Sequence, residues 1–152
     1  MRKPAAGSRK PKAAARVEFV STRSRVEKLG VKKGADLLLL GIEEDAAFVE
    51  ELRGAGASIR TSGAPQADMI FALFRRREDL RRLPPLVPRM KADGVLWTLR
   101  PKGSKDLTER EMMRAGQDAG LVDVKVVSFS DVLTAEKFVV PLAKRSAHPA
   151  RP

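Results

Sequence analysis

The chain has 152 residues, enough for one domain with a substantial core, and a formal net charge of +11. It contains no cysteine and no tyrosine, which excludes disulfides, thiolate metal sites and a cysteine nucleophile. No apolar run approaches the length of a membrane span or a signal core, so the cytoplasm is the expected setting.

The charge is unevenly placed. Arg2, Lys3, Arg9, Lys10, Lys12 and Arg16 fall in residues 1–16 with no acid among them. Lys144, Arg145 and Arg151 give the C-terminal end the same bias, and the stretch between is close to neutral. A segment of Lys, Arg, Pro, Ala and Gly cannot bury enough apolar surface to offset its ordering entropy. Residues 1–21 and 143–152 are therefore expected to be disordered basic tails. Residues 1–16 resemble the Lys-Pro-Ala tails of histone-like proteins, which contact nucleic-acid phosphates without base readout. They hold no aromatic side chain for stacking on bases.

Residues 22–30 place Val26 and Leu29 on one side of a short helix that Gly30 would stop. The run Leu37, Leu38, Leu39, Leu40 does not alternate, which suits a strand covered on both faces. Gly41 lets the backbone turn sharply. Glu43, Glu44 and Asp45 are expected in the first turn of the next helix, where the macrodipole favours acids. Phe48, Val49 and Leu52 form its inward stripe, and Gly54 and Gly56 its end. Strand, glycine turn and helix open a Rossmann-like unit, in which ligands bind beyond the carboxyl ends of the strands. The turn has one glycine where a dinucleotide fingerprint has three, and its three acids would repel a pyrophosphate.

Residues 57–61 are a short second strand and residues 62–65 a loop. Residues 68–74 are another buried strand, followed at once by Arg75, Arg76 and Arg77. Two short helices are expected at 78–83 and 86–91, separated by Pro84-Pro85. Asp93-Gly94 is a turn, residues 95–99 a strand, and residues 100–105 a basic loop. Thr108 and Glu111 form a capping box. The helix they open carries Met112, Gly116 and Ala119 on one face and stops at Gly120. Residues 122–129 and 136–142 fit an antiparallel pair, with Pro141 near a strand end.

Together these segments resemble a small bacterial domain family of unknown function. The resemblance covers roughly residues 24–142. Its most specific parts are Asp93-Gly94-Val95-Leu96-Trp97, Pro101-Lys102-Gly103, and the run Ala119-Gly120-Leu121-Val122-Asp123-Val124-Lys125-Val126. Members are compact Rossmann-like proteins, similar in layout to truncated S-adenosylmethionine-dependent methyltransferases. The implied fold is a three-layer α/β Rossmann-like sandwich at residues 22–142, mostly parallel, with a C-terminal antiparallel strand pair and methyltransferase-like topology. The chain is shorter than that layout by about one strand-helix unit after Thr61. It also departs at the usual cofactor contacts. Only Gly41 remains of the glycines after the first strand. Arg60-Thr61-Ser62 stands where an acid usually binds the ribose, and arginines replace the Asn-Pro-Pro-Tyr-like or Asp-Pro signature after residues 68–74. The usual S-adenosylmethionine motifs are degenerate in this sequence.

Arg60, Arg75, Arg100 and Lys102 each follow an expected strand. On neighbouring parallel strands their cations would converge on one sheet edge, with Gly41, Thr61 and Ser104 adding hydrogen-bond donors. That is an anion pocket for phosphate, a nucleotide or a carboxylated metabolite. One residue in five is Lys or Arg, so such positions also arise from composition alone. The single histidine, His148, falls in the expected C-terminal tail, and Ser104 has no histidine to activate it. No acid pair has specific support as a paired-carboxylate site, so neither a catalytic residue nor a metal site is expected. Trp97, within a strand, reads as core. The leading expectation is a non-catalytic protein that binds a small anionic ligand or a protein partner at the strand ends. One alternative is an S-adenosylmethionine-dependent methyltransferase with an atypical cofactor turn. The other is a nucleic-acid-associated protein acting through residues 1–16.

Overall fold

The strands of the computed structural model, which describes residues 24–63 and 65–149, are β1 (Asp36–Leu40), β2 (Ser58–Arg60), β3 (Ala67–Leu73), β4 (Met90–Pro101), β5 (Val122–Ser128) and β6 (Leu133–Val139). They form one six-stranded sheet in the order β2-β1-β3-β4-β6-β5. The pairs β1/β2, β1/β3 and β3/β4 are parallel. Strand β6 is antiparallel to both of its neighbours, so it alone runs against the others. The basic N-terminal residues Arg2, Lys3, Arg9, Lys10, Lys12 and Arg16 lie outside the described residues.

The unbroken leucine run of β1 has a direct cause. Leu37 and Leu39 point into one core with Phe48, Leu52, Phe71, Trp97 and Phe129, whereas Leu38 points into a second core with Ile70, Phe74, Leu96, Met112 and Phe138. A strand with an apolar layer on each face needs apolar residues at both parities. Helices α1 (Arg25–Leu29) and α2 (Ala46–Gly54) cover the first face. Helix α3 (Glu109–Asp118) and the 3₁₀ helices Arg77–Arg82 and Pro84–Arg89 cover the second. The molecule is a three-layer α/β sandwich.

A helix as short as α1 is unstable alone and is held by its neighbours. Ser24 and Glu27 form a capping box, and Gly30 closes the helix at φ 78°. Arg25 donates to Glu51 at 2.9 and 2.7 Å and to the Phe129 carbonyl at 2.9 Å, while its guanidinium lies over the Phe48 and Phe129 rings. The indole N–H of Trp97 donates to the Leu29 carbonyl at 3.1 Å, and Trp97 is fully buried, as core.

Several expected boundaries move. Glu43 and Glu44 precede α2 instead of occupying its first turn, and Asp45 is its N-cap. Strand β4 starts at Met90 and runs straight through Asp93-Gly94. Met90 pairs with Ala67 and Val95 with Met69, so the extra residues between them form an irregularity inside the ladder, not a turn. Arg100 and Pro101 belong to β4, not to the loop after it. Strand β6 begins at Leu133, three residues before the expected start, because Leu133 and Ala135 alternate inward. Past residue 142 the chain forms a 3₁₀ helix, Leu142–Ala147, within the stretch expected to be a disordered tail. The ring Nε2 of His148 sits 2.7 Å from the Met90 carbonyl.

Candidate functional site

The parallel strands end on one edge of the sheet, and β6, running the other way, begins there. A pocket of about 310 Å³ opens on that edge. It is framed by the turn after β1, by Leu73 and Arg75 at the end of β3, and by Leu133 at the start of β6.

The turn is built on Gly41, whose φ of 88° lies in the left-handed region. A Cβ at this position would stand 3.0 Å from the Leu73 Cβ, so the glycine also allows β1 and β3 to close together at their ends. The Gly41 amide donates to Glu43 Oε1 at 2.5 Å. The Asp45 carboxylate accepts from the Phe48 amide at 3.0 Å and starts α2. Glu43, Glu44 and Asp45 thus stand on the pocket wall around Ile42. Opposite them, the backbone of Arg75 is anchored by its amide donating to Asp79 Oδ2 at 2.8 Å; the Arg76 amide donates to the same oxygen at 3.1 Å. The Arg75 amide holds the Asp79 carboxyl below its usual range, burial opposes it, and the Arg76 amide and the nearby arginine charges add to the pull. Three acidic residues and one arginine thus line the pocket, beside the apolar Ile42, Leu73 and Leu133.

Of the residues singled out in the sequence, this pocket unites Gly41 and Arg75. The others are placed elsewhere. Arg60 pairs with Leu38, two residues short of the end of β1, because β2 is only three residues long. Its guanidinium folds back to donate to both Asp36 oxygens at 3.1 Å and to the Pro65 carbonyl at 2.6 Å. Arg100 turns into the second face and donates twice to Glu136 Oε2, at 2.9 and 2.6 Å. Glu136 Oε1 accepts from the Thr98 hydroxyl at 3.1 Å. Burial pushes the Glu136 carboxyl up, against the pull of Arg100. Lys102 donates to the Ser128 hydroxyl at 2.7 Å, and the Ser104 hydroxyl accepts from the Asp106 amide at 3.0 Å. Thr61 is exposed beyond β2.

The sequence reading missed Leu73 and Leu133. The start of an antiparallel strand lies level with the ends of its parallel neighbours, so the strand order was the signal that could have placed Leu133. Among the described residues no group of three His, Asp or Glu side chains could hold a metal ion, and no helix is long and apolar enough to cross a membrane.

No protein-family profile matches the chain, and no curated protein does. Solved structures do match by fold. A SAM-dependent methyltransferase from Aquifex aeolicus superposes with a TM-score of 0.58 at 16% identity, over 76% of this chain and 87% of that one. A putative sarcosine dimethylglycine methyltransferase from Galdieria sulphuraria gives a TM-score of 0.53 at 11% identity, over 75% and 82%. The magnesium protoporphyrin IX methyltransferase of Synechocystis, with bound SAH, gives 0.51 at 11% identity, over 76% and 78%. The chain has a methyltransferase-like Rossmann fold.

Proposed function

We propose that the chain is an S-adenosylmethionine-dependent methyltransferase with an atypical cofactor turn, and that the pocket at Gly41 holds the cofactor. One observation carries this reading: the charge of the pocket. Its wall has three carboxylates and one arginine. A phosphate or nucleotide would meet net repulsion there. A ligand with an ammonium, a sulfonium and a single carboxylate would meet the opposite signs it needs. Glu43, Glu44 and Asp45 would face the cationic groups, and Arg75 would pair with the carboxylate. When bound, the cofactor supplies an electrophilic methyl group on sulfur. The fold supports the reading, because the solved structures it resembles include methyltransferases and one of them holds SAH.

A pocket for a purely anionic ligand has less support. It requires Arg60, Arg75 and Arg100 to converge, and the guanidinia of Arg60 and Arg100 are already bound to Asp36 and Glu136.

Calorimetric titration of the full chain tests the proposal. S-adenosylhomocysteine should bind saturably. Arg75→Ala and Glu44→Lys, both at exposed positions, should each weaken binding by about tenfold, the equivalent of one lost or inverted charged contact. Inorganic phosphate and ADP should not compete. Tight ADP or phosphate binding with no response to S-adenosylhomocysteine would overturn the reading in favour of an anionic ligand.

A further inference from the structure

A second concavity, larger than the first, lies between α3 and the 3₁₀ helix Arg77–Arg82. Its volume is about 510 Å³. Leu80, Pro84 and Ala115 make an apolar floor. Arg81 stands on one wall, and Arg110 and Arg114 stand on the other, one helical turn apart. That spacing places their Cβ atoms about 5–6 Å from each other. Arg77 is bound to Glu111 across the groove. No hydrogen bond or ion pair holds the Arg81, Arg110 or Arg114 guanidinium among the described residues. Asp118 is the only other acid in the lining.

We infer that this groove binds single-stranded nucleic acid through its phosphates. Arginine presents a planar fork that matches a phosphate bidentately, and its face accepts a stacked base. Basic walls over an apolar floor suit a strand with anionic backbone and flat bases. The arginines also continue beyond the groove. Arg77 lines it, Arg75 lines the pocket at Gly41, and exposed Arg76 stands between them. Two residues of chain span at most about 7 Å. The groove and the cofactor pocket therefore adjoin, and a base of a strand held by its phosphates in the groove lies within reach of the pocket. An acidic protein helix would use the charges but has no flat apolar group to lay on the Leu80, Pro84 and Ala115 floor, as a base has. This names the substrate class of the proposed methyltransferase and rests on that reading for its chemistry, though not for binding.

The test uses the full chain, a fluorescein-labelled oligonucleotide read by anisotropy over a salt series, and a parallel titration with S-adenosylhomocysteine. Two variants are compared. One carries Arg81→Ala, Arg110→Ala and Arg114→Ala; the other replaces Arg2, Lys3, Arg9, Lys10, Lys12 and Arg16 by Gln. The groove variant should bind the oligonucleotide at least about tenfold more weakly, with a log-log salt slope shallower by about 2, as expected for three lost phosphate contacts on a single strand. Its affinity for S-adenosylhomocysteine should be unchanged. The inference is overturned if the groove variant binds like wild type, if only the tail variant loses binding, or if wild type does not bind. Displacement by polyglutamate as readily as by unlabelled oligonucleotide would also overturn it, in favour of an acidic protein. If S-adenosylhomocysteine fails to bind while the groove effect stands, the cofactor reading falls and the nucleic-acid site survives. The reverse pattern spares the cofactor and removes the site.

Discussion

Arg100 and Glu136 make the most buried ion pair among the described residues, with side-chain exposures of 7% and 0%. Two charges have been taken from water here, and their mutual hydrogen bonds, with the Thr98 hydroxyl donating to Glu136, offset that cost. Removing one partner should therefore cost far more than removing both. Arg100→Met should lower stability by about 3–5 kcal/mol in urea titration, because it leaves a carboxylate buried without its cation. Adding Glu136→Leu to that variant should restore most of the loss; a double variant as weak as the single one would refute this account. Asp79 behaves differently, since it lies nearer to solvent and accepts from the Arg75 and Arg76 amides. Its folded-state carboxyl is held low, chiefly by the Arg75 amide. The unfolded chain therefore binds a proton more readily than the folded one. The stabilisation is complete above the ordinary aspartate range and is lost as pH falls through it. Asp79→Asn should cost about 1 kcal/mol at neutral pH, and its deficit relative to wild type should close below about pH 4. A deficit that stayed constant from pH 7 to pH 3 would assign the loss to shape instead of charge.

At the level of elements, α3 shows what close packing demands. Gly116 faces the sheet, and a Cβ there would lie 2.1 Å from the Phe138 ring. Gly116→Ala must push the helix off β6 and should destabilise by about 1–3 kcal/mol despite the better helix propensity of alanine. Gly54, in the last turn of α2, has nothing within 4 Å of the same construction and no left-handed φ. Gly54→Ala should stabilise by about 0.4–1 kcal/mol through the unfolded chain. Thermal melts of the two variants should move in opposite directions. Elements were legible in the sequence where one local force dominated. The leucine run of β1 reported burial on both faces, and Thr108 with Glu111 marked the start of α3. They were illegible where a distant partner decided. Asp93-Gly94 carries a turn signal, but Gly94 lies buried against the Asp68 carbonyl within the irregular part of β4. The early start of β6 was hidden because residues 130–134, Ser-Asp-Val-Leu-Thr, read as a connection, whereas Leu133 and Ala135 point into the first core. The same blindness governed the site. The sequence shows that Arg60 and Arg100 follow strand-like runs. It does not show that Asp36 and Glu136 bind their guanidinia first.

Across the whole molecule, two cores share one sheet, and the sole tryptophan is fully buried in the first of them. Every inner strand contributes side chains to both cores, as β1 does with Leu37 and Leu39 on one face and Leu38 on the other. Neither layer can leave without exposing strand residues that the other still needs. Unfolding should therefore be a single cooperative transition. Trp97 fluorescence, which reports the first core, and far-UV circular dichroism, which reports all elements, should give coincident midpoints in urea and in heat. The proposed cofactor pocket is set where Leu73, Leu133 and the β1 turn meet, so its ligand touches elements from both ends of the chain. Saturation at 100 times the dissociation constant adds about 2.7 kcal/mol. In a domain of this size that should raise the melting midpoint by on the order of 10 °C. Both signals should move by the same amount, because a ligand that clamps the sheet edge stabilises the one structure on which both layers are packed. A fluorescence midpoint that rises while the circular dichroism midpoint stays behind would mean that α3 and the 3₁₀ helices detach on their own, and that the second face contributes no cooperativity to the first.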